Sequence, residues 1–534
     1  MEPENESADG PVSLPLSPGL TVLCGVIAVA LVFPLAWLLV EVVSVDPGRA
    51  RELTFSAGTA DVLFNSLLLM IGVTVCSILL GVPLAYLTVR TDLPFRRFWS
   101  IAVALPLVVP SYVGAFAFVS AFGPQGEFHD LLAPLGIGRL PEIYGLPGSI
   151  FVITLYTYPY VYLTTRAALV SFDTRLIDAA RTLNYGTWSG FRRVTLPQIR
   201  PAIAAGGLLT ALYAVSDFGT PAIMRLSVFT REIYVEYNTF GREYAALLSL
   251  QLLVLVLAVL ALEWAIRPDQ TVRGDDADRA GSRVRLGRWR WPATLLPTGV
   301  TVMALAVPVW ILLLWLLRTD AARRPSMAFE WTQAVNSVAV AAAAAAVATL
   351  AALPVAYFAA TRDSRLGTLF ERATYVGFAV PGVVLGLALV FFGAGYIPWL
   401  YQTLPLLIFA YVVRFVPQAV GTTRTSILQV DSKLVEAGRT LGESPIGAFR
   451  RITLPHIRSG LVAGAALVFL TTMKELPVTL ILRPSGFETI VTQIWRAQES
   501  ALYQYAAVPA LILILISGLS MVVMLSQEGE GHDL

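Results

Sequence analysis

The 534 residues are 56% hydrophobic and only 14% charged, and 38 Lys plus Arg stand against 36 Asp plus Glu for a formal net charge of +2. Most of the apolar content comes in long uncharged runs, which a soluble fold cannot bury but a bilayer solvates as helices of about 20 residues; a soluble enzyme or regulator is excluded. The basic residues are scattered over short loops, which excludes a nucleic-acid surface, and Cys24 and Cys76 lie in apolar runs, implying neither a disulfide framework nor a metal site.

Residues 1–18 form an acidic, Pro-containing leader without Lys or Arg, unlike the basic start of a secretory signal, so the apolar run that follows is read as a permanent helix. Twelve apolar runs begin near residues 19, 62, 98, 148, 201, 244, 292, 336, 372, 404, 459 and 504. They predict an all-α, polytopic membrane protein of about 12 transmembrane helices. Arginine carries nearly all the positive charge, Lys433 and Lys474 being the only lysines, and it concentrates around 90–97, 171–200, 266–291, 361–372 and 424–458. The positive-inside bias places these loops and both termini in the cytoplasm; Arg318, Arg323 and Arg324 fall on the opposite side and run against it.

Segment 267–291, rich in Asp, Arg and Gly, reads as a solvated linker between a first repeat, 19–266, and a second, 292–526, followed by a tail, 527–534. The repeats are visible residue by residue. Asn65-Ser66, Pro83, Tyr86 and Asp92 return 271 positions later as Asn336-Ser337, Pro354, Tyr357 and Asp363. Pro159, Arg166, Ala179, Arg181, Phe191 and Pro197 return 258 positions later as Pro417, Arg424, Ala437, Arg439, Phe449 and Pro455. Six runs per repeat is an even number, so both enter the membrane in the same sense. This is a parallel repeat with its pseudo-two-fold axis along the membrane normal and any translocation path between the halves.

The loops 171–200 and 425–458 carry the most informative pattern. The first reads Asp178-Ala179-Ala180-Arg181-Thr182-Leu183-Asn184 and continues to Phe191 and Leu196-Pro197; the second reads Glu436-Ala437-Gly438-Arg439-Thr440-Leu441-Gly442 and continues to Phe449 and Leu454-Pro455. Each predicts a short helix, a forced turn and a second short amphipathic helix ending at a Leu-Pro stop. Gly442 takes a left-handed C-cap without strain, and Asn184 is the next most tolerant residue there. Two such elements make a pair of pegs suited to a two-fold partner; the plainer alternative is a pair of interfacial helices seated on lipid headgroups.

These loops resemble the EAA loop of ABC importer permeases: Glu-Ala-Ala, a glycine four residues further on, and a terminal Leu-Pro. The resemblance covers both repeats and nearly the whole chain. Asp178 for the leading Glu, Asn184 for the Gly and Gly438 for the second Ala are departures that bear on how equally the two loops couple. Tyr411-Val412-Val413-Arg414-Phe415, Ser216-Asp217-Phe218-Gly219 and Met473-Lys474-Glu475-Leu476-Pro477 are similar to the fused two-repeat permeases of the ferric iron type, relatives of which carry thiamine.

The resemblance implies a type I importer permease of the plasma (inner) membrane, working by alternating access. It also implies coupling helices at the two loops, docked on a cytoplasmic ABC ATPase, and an extracytoplasmic substrate-binding protein. Two similar pegs suggest an ATPase homodimer. No cofactor is expected in this chain, since ATP is used by the partner. Ferric iron is the expected cargo, with thiamine or a polyamine as the alternatives.

Asp217 and Glu475 are symmetry mates at membrane depth, where an ionisable side chain is costly without a cavity or partner. With Lys474 and Arg414 they are the candidates for the translocation path, where facing carboxylates would favour a cation. The structural alternative pairs Glu475 with Arg414 or Lys474 and has Asp217 cap a broken helix near Gly219 and Pro221. His129, His456 and His532 sit apart in loops or the tail and read as solvated, leaving no metal site. A P-loop needs Gly-Lys-[Ser/Thr], whereas Lys433 follows Ser432 and Lys474 follows Met473; no catalytic residue is assigned. An ion-coupled secondary transporter would share the twelve spans but has no use for two coupling loops, and a membrane enzyme would need a catalytic constellation at one face.

Overall fold

The computed structural model describes residues 18–123, 128, 143–172, 182, 186–266, 284–318, 327–362 and 364–530. Among them the structure is helical, with one isolated β-bridge between Thr91 and Val284. Two compact units emerge. One holds the first helix, Pro18–Val43, with Glu330–Val491; the other runs from Val45 to Phe329 and takes in the chain from Thr492.

The units are cut differently from the sequence repeats. The helix that opens the first repeat packs on Trp331–Thr361, Arg365–Ala379 and Gly382–Tyr396, all of the second repeat. The helix Val307–Arg318, near the start of the second repeat, packs on Ser111–Phe122 of the first and on Ala507–Glu530. Each compact unit therefore contains an apolar helix from the other repeat.

Among the described residues, eight helices are long and apolar enough to cross a membrane, or ten if each of two bent helix pairs counts as one span. The protein is accordingly a multi-pass membrane protein. The two remaining expected starts coincide with Gly145–Val170, which is rich in Tyr and Thr, and with the shorter apolar helix Tyr503–Leu519. Among the described residues the count by length and apolarity is eight to ten, which leaves the exact figure of twelve unconfirmed.

The bends have a cause in the sequence. Val109 precedes Pro110 and Val380 precedes Pro381, and a residue before proline is pushed out of the helical region by the proline ring. Val109 has φ −81°, ψ 126° and Val380 has φ −74°, ψ 127°. The helix pairs joined there, Arg96–Val108 with Ser111–Phe122 and Arg365–Ala379 with Gly382–Tyr396, turn through 91° and 100°.

Small residues set how closely the neighbouring helices approach, as expected where lipid removes the hydrophobic drive for association. A Cβ on Gly464 would lie 2.5 Å from Thr422 Oγ1 and 3.0 Å from Ala419 Cα; on the equivalent Gly206 it would lie 2.4 Å from Thr164 Oγ1 and 2.7 Å from Val161 Cα. The repeated Asn-Ser pair also finds its reason. Asn65 Nδ2 donates to Ser227 O (3.1 Å) and Ser66 Oγ accepts from Phe229 N (3.1 Å); Asn336 Nδ2 donates to Glu488 O (2.9 Å) and Ser337 Oγ accepts from Ile490 N (2.8 Å). In each repeat the pair anchors the start of a short amphipathic helix, Phe229–Asn238 or Ile490–Glu499.

Candidate functional site: coupling loops and intramembrane charges

Asp431 caps the helix Ser432–Thr440 by accepting from Lys433 N (2.9 Å). The helix ends in a Schellman turn: Gly442, at φ +94°, donates to Arg439 O (3.0 Å) and Glu443 N donates to Gly438 O (3.1 Å). Ser444 then caps Pro445–Ala448 through Gly447 N (3.0 Å), and Glu443 pairs with Arg451. Glu436 and Ala437 are exposed on this loop, whereas Gly438 is buried, where a Cβ would meet Ile452 Cδ1 at 2.3 Å. The repeat has the smaller Val194 at the position equivalent to Ile452, alongside Ala180 at the position equivalent to Gly438.

Leu-Pro does not stop the second helix. Pro445–Ala448 runs through a π turn, Phe449–Thr453, into Leu454–Met473, and the first repeat does the same through Phe191–Thr195 into Leu196–Ser216. Proline lacks an N–H and crowds the carbonyl four residues back; the wider π turn just before Pro197 and Pro455 relieves both, so the chain continues as a helix. Asp178, Ala179, Ala180 and Asn184 lie outside the described residues.

Phe191 and Phe449 are only partly exposed, because each packs edge-on against the repeat-equivalent tyrosine of its own half: Phe191 on Tyr86 at 5.0 Å, Phe449 on Tyr357 at 5.2 Å between ring centroids. The most open large apolar side chains among the described residues of the two loops are Leu441 (86% exposed), Ile446 (73%) and, at the position equivalent to Ile446, Trp188 (73%). Sequence reading picked out the phenylalanines and leucines of these loops and passed over Ile446 and Trp188. The signal lay in the same segment: large apolar residues beside polar turn residues.

Both intramembrane acids sit where a helix is interrupted. Glu475 lies between Leu454–Met473 and Pro477–Leu482, is 7% exposed, and approaches Arg414 Nε at 3.1 Å. Arg414 Nη1 also donates to Val380 O (2.7 Å), the carbonyl at the proline bend, and Glu475 Oε1 accepts from Val478 N (3.4 Å). Gly382, just past that bend, is required by the pair: its Cβ would lie 2.4 Å from Glu475 Oε1. Asp217 lies between Leu196–Ser216 and Gly219–Ile223. Its Oδ2 accepts from Ser111 Oγ (2.9 Å) and its Oδ1 from Gly219 N (3.1 Å) and Thr220 N (3.5 Å), while Tyr213 donates to Ser111 Oγ (3.1 Å). Lys474 is partly exposed beside Glu475, and no hydrogen bond or ion pair of its ammonium occurs among the described residues.

Among the described residues no group of three or more His, Cys, Asp or Glu is placed to hold a metal. His456 is exposed, with Nδ1 2.6 Å from Ile452 O; His129 and His532 lie outside the described residues.

A polytopic helical bundle with duplicated loops and paired helix interruptions is the form of a transport permease. The family described as binding-protein-dependent transport system inner membrane component matches two stretches, residues 77–269 and 352–527, and the chain belongs to it. The Fe(3+)-transport system permease protein FbpB 2 of Haemophilus influenzae is 31% identical over 505 residues, 94% of this chain and 96% of that one. The ferric transport system permease protein FbpB of Actinobacillus pleuropneumoniae is 22% identical, covering 85% of this chain and 69% of its own length. The sulfate transport system permease protein CysW of Escherichia coli is 29% identical over 239 residues, 40% of this chain and 79% of that protein.

Proposed function

We propose that this chain supplies both permease halves of an ABC importer for ferric iron, set in the plasma membrane with both termini in the cytoplasm. The observation that carries the reading is the end-to-end similarity to an Fe(3+)-transport system permease, 94% of this chain against 96% of that one. A separate cytoplasmic ATPase, most simply a homodimer, docks on the two loops, and an extracytoplasmic binding protein delivers the cargo. The chain itself holds no ATP site and no cofactor; lipid is its other partner.

The geometry supports a specific route for the coupling. Leu441, Ile446 and Trp188 offer the apolar knobs, and the Schellman turn with the Glu443–Arg451 pair makes the second loop stiff. From Pro445 the helix runs without a break for 29 residues to Met473, about 43 Å at 1.5 Å per residue. Movement at Ile446 is thereby carried to the interruption marked by Lys474 and Glu475. The path passes these interruptions, which Asp217, Glu475, Lys474 and Arg414 mark, and alternating access follows from their displacement.

Uptake of labelled ferric iron at limiting iron, in cells with and without this chain and with excess thiamine or spermidine, tests the reading. Chain-dependent uptake that neither organic cation reduces is expected. Iron uptake independent of the chain removes iron as the cargo, and uptake abolished by a competitor transfers the cargo to that competitor's class. Glu436→Lys is expected to leave ATP hydrolysis running without uptake in the assembled complex; normal uptake in that variant would remove the docking assignment.

A further inference from the structure

Helix Leu404–Leu428 carries Arg414 ten residues from its start, roughly 15 Å along the axis and near the middle of a hydrocarbon core about 30 Å thick. Its contact holds Glu475 at that depth, and Lys474 is the adjoining residue. Charges there need a partner or water. Arg414 is met by Glu475 and the Val380 carbonyl, Glu475 by Arg414 and Val478 N, and both Asp217 oxygens by hydroxyl and amide donors. Among these four charged groups Lys474 alone has a charged end with no hydrogen bond or ion pair among the described residues. A polar strip adjoins it: Thr471, one turn back, donates to Gln418 Oε1 (3.1 Å), and Gln418 is one turn from Arg414.

Resting on the reading of the chain as a ferric iron permease, we infer that Lys474 is the counter-charge for cargo crossing this depth with net negative charge. For iron this means a ferric ion wrapped in oxyanion ligands rather than the bare trivalent ion. An ammonium offers three N–H donors and no acceptor, and its charge-assisted hydrogen bonds to carboxylate or phosphate oxygens are the strong ones. A compact charge on a flexible stem follows a moving anion, whereas a bare trivalent cation is repelled by it. The carboxylates do not reverse this preference, because their oxygens are already engaged at the helix interruptions. The equivalent position in the first repeat is Ser216, so the charge is supplied by the second repeat.

The test uses proteoliposomes holding this chain with its ATPase, ATP enclosed, and its binding protein outside. Radiolabelled ferric iron is offered with labelled citrate, and separately with labelled phosphate, as the sole oxyanion. Accumulation of both labels together is expected with at least one of the anions. Lys474→Gln is expected to lower both labels by about tenfold, and Lys474→Arg to retain most of the uptake. Iron entering with neither anion, or Lys474→Gln transporting like wild type, overturns the inference and leaves the iron reading intact. Anion entering without iron upholds a negatively charged cargo and overturns the iron reading. The label ratio of the wild-type complex decides the point even if a variant does not assemble with its ATPase.

Discussion

The two repeats interrupt a helix at equivalent places and satisfy the interruption with different chemistry. In the second repeat Glu475 is answered by Arg414, whose guanidinium also takes the Val380 carbonyl at the proline bend, and Gly382 leaves room for both. In the first repeat the positions of Arg414 and Gly382 are held by Tyr156 and Ser111. Asp217 is answered there by the Ser111 hydroxyl and two backbone amides, and Tyr156 reaches away to Ala304 O at 3.2 Å. Backbone groups freed in lipid must find partners, and that demand is common to both; whether the partner is ionic or neutral is free to differ.

The difference predicts unequal sensitivity. Arg414→Met strands a buried carboxylate and should cost about 3–5 kcal/mol, read as a large fall in thermal stability of the detergent-solubilised complex. Combining it with Glu475→Gln should recover most of that loss. Asp217→Asn keeps an acceptor for Gly219 N and an amide that can donate to Ser111, so its cost should be about 1 kcal/mol. Equal losses from Arg414→Met and Asp217→Asn would erase the contrast between the repeats.

The two repeated loops should separate next. Gly442→Ala places a side chain at φ +94° and should cost about 1 kcal/mol, with more ATP consumed per cargo moved; Gly442→Asn, restoring the residue of the first repeat, should recover part of the coupling. Gly438→Ala meets Ile452 and should destabilise by about 1 kcal/mol. Adding Ile452→Val, which reproduces the Ala180 and Val194 combination of the first repeat, should relieve it. Absence of relief would mean that Gly438 is kept for a reason other than packing.

Much of this was legible in the sequence because it is written twice. The repeat located Asn65-Ser66, Tyr86, Phe191 and their mates before any contact was known, and Gly442 announced its left-handed turn. What the sequence hid was of two kinds. Which unit a lipid-facing helix joins leaves no trace in its own apolar pattern, so the exchange of Pro18–Val43 was not visible. The Leu-Pro pair read as a stop because proline ends helices in isolation, whereas the π turns before Pro197 and Pro455 absorb it. The acids were found by their cost in lipid, but the side chains that answer them come from residues about 60 to 110 positions away, beyond any local pattern.

The smallest effect tests whether the two loops are mounted alike. An edge-on aromatic pair is worth about 0.5–1.5 kcal/mol beyond its buried area, and Phe449 has one such partner described, Tyr357. Phe191 has Tyr86 and also Trp188, stacked at 5.7 Å. Tyr357→Leu should therefore loosen the second loop by the full pair, seen as faster amide exchange over 445–453. Tyr86→Leu should loosen the first loop less, since Trp188 still backs Phe191. If an ATPase knob-and-cleft contact captures Trp188, that backing is lost in the complex. Tyr86→Leu should then change from the milder variant in the free permease to the equal of Tyr357→Leu once the ATPase is bound, and an unchanged ranking would place Trp188 outside the contact.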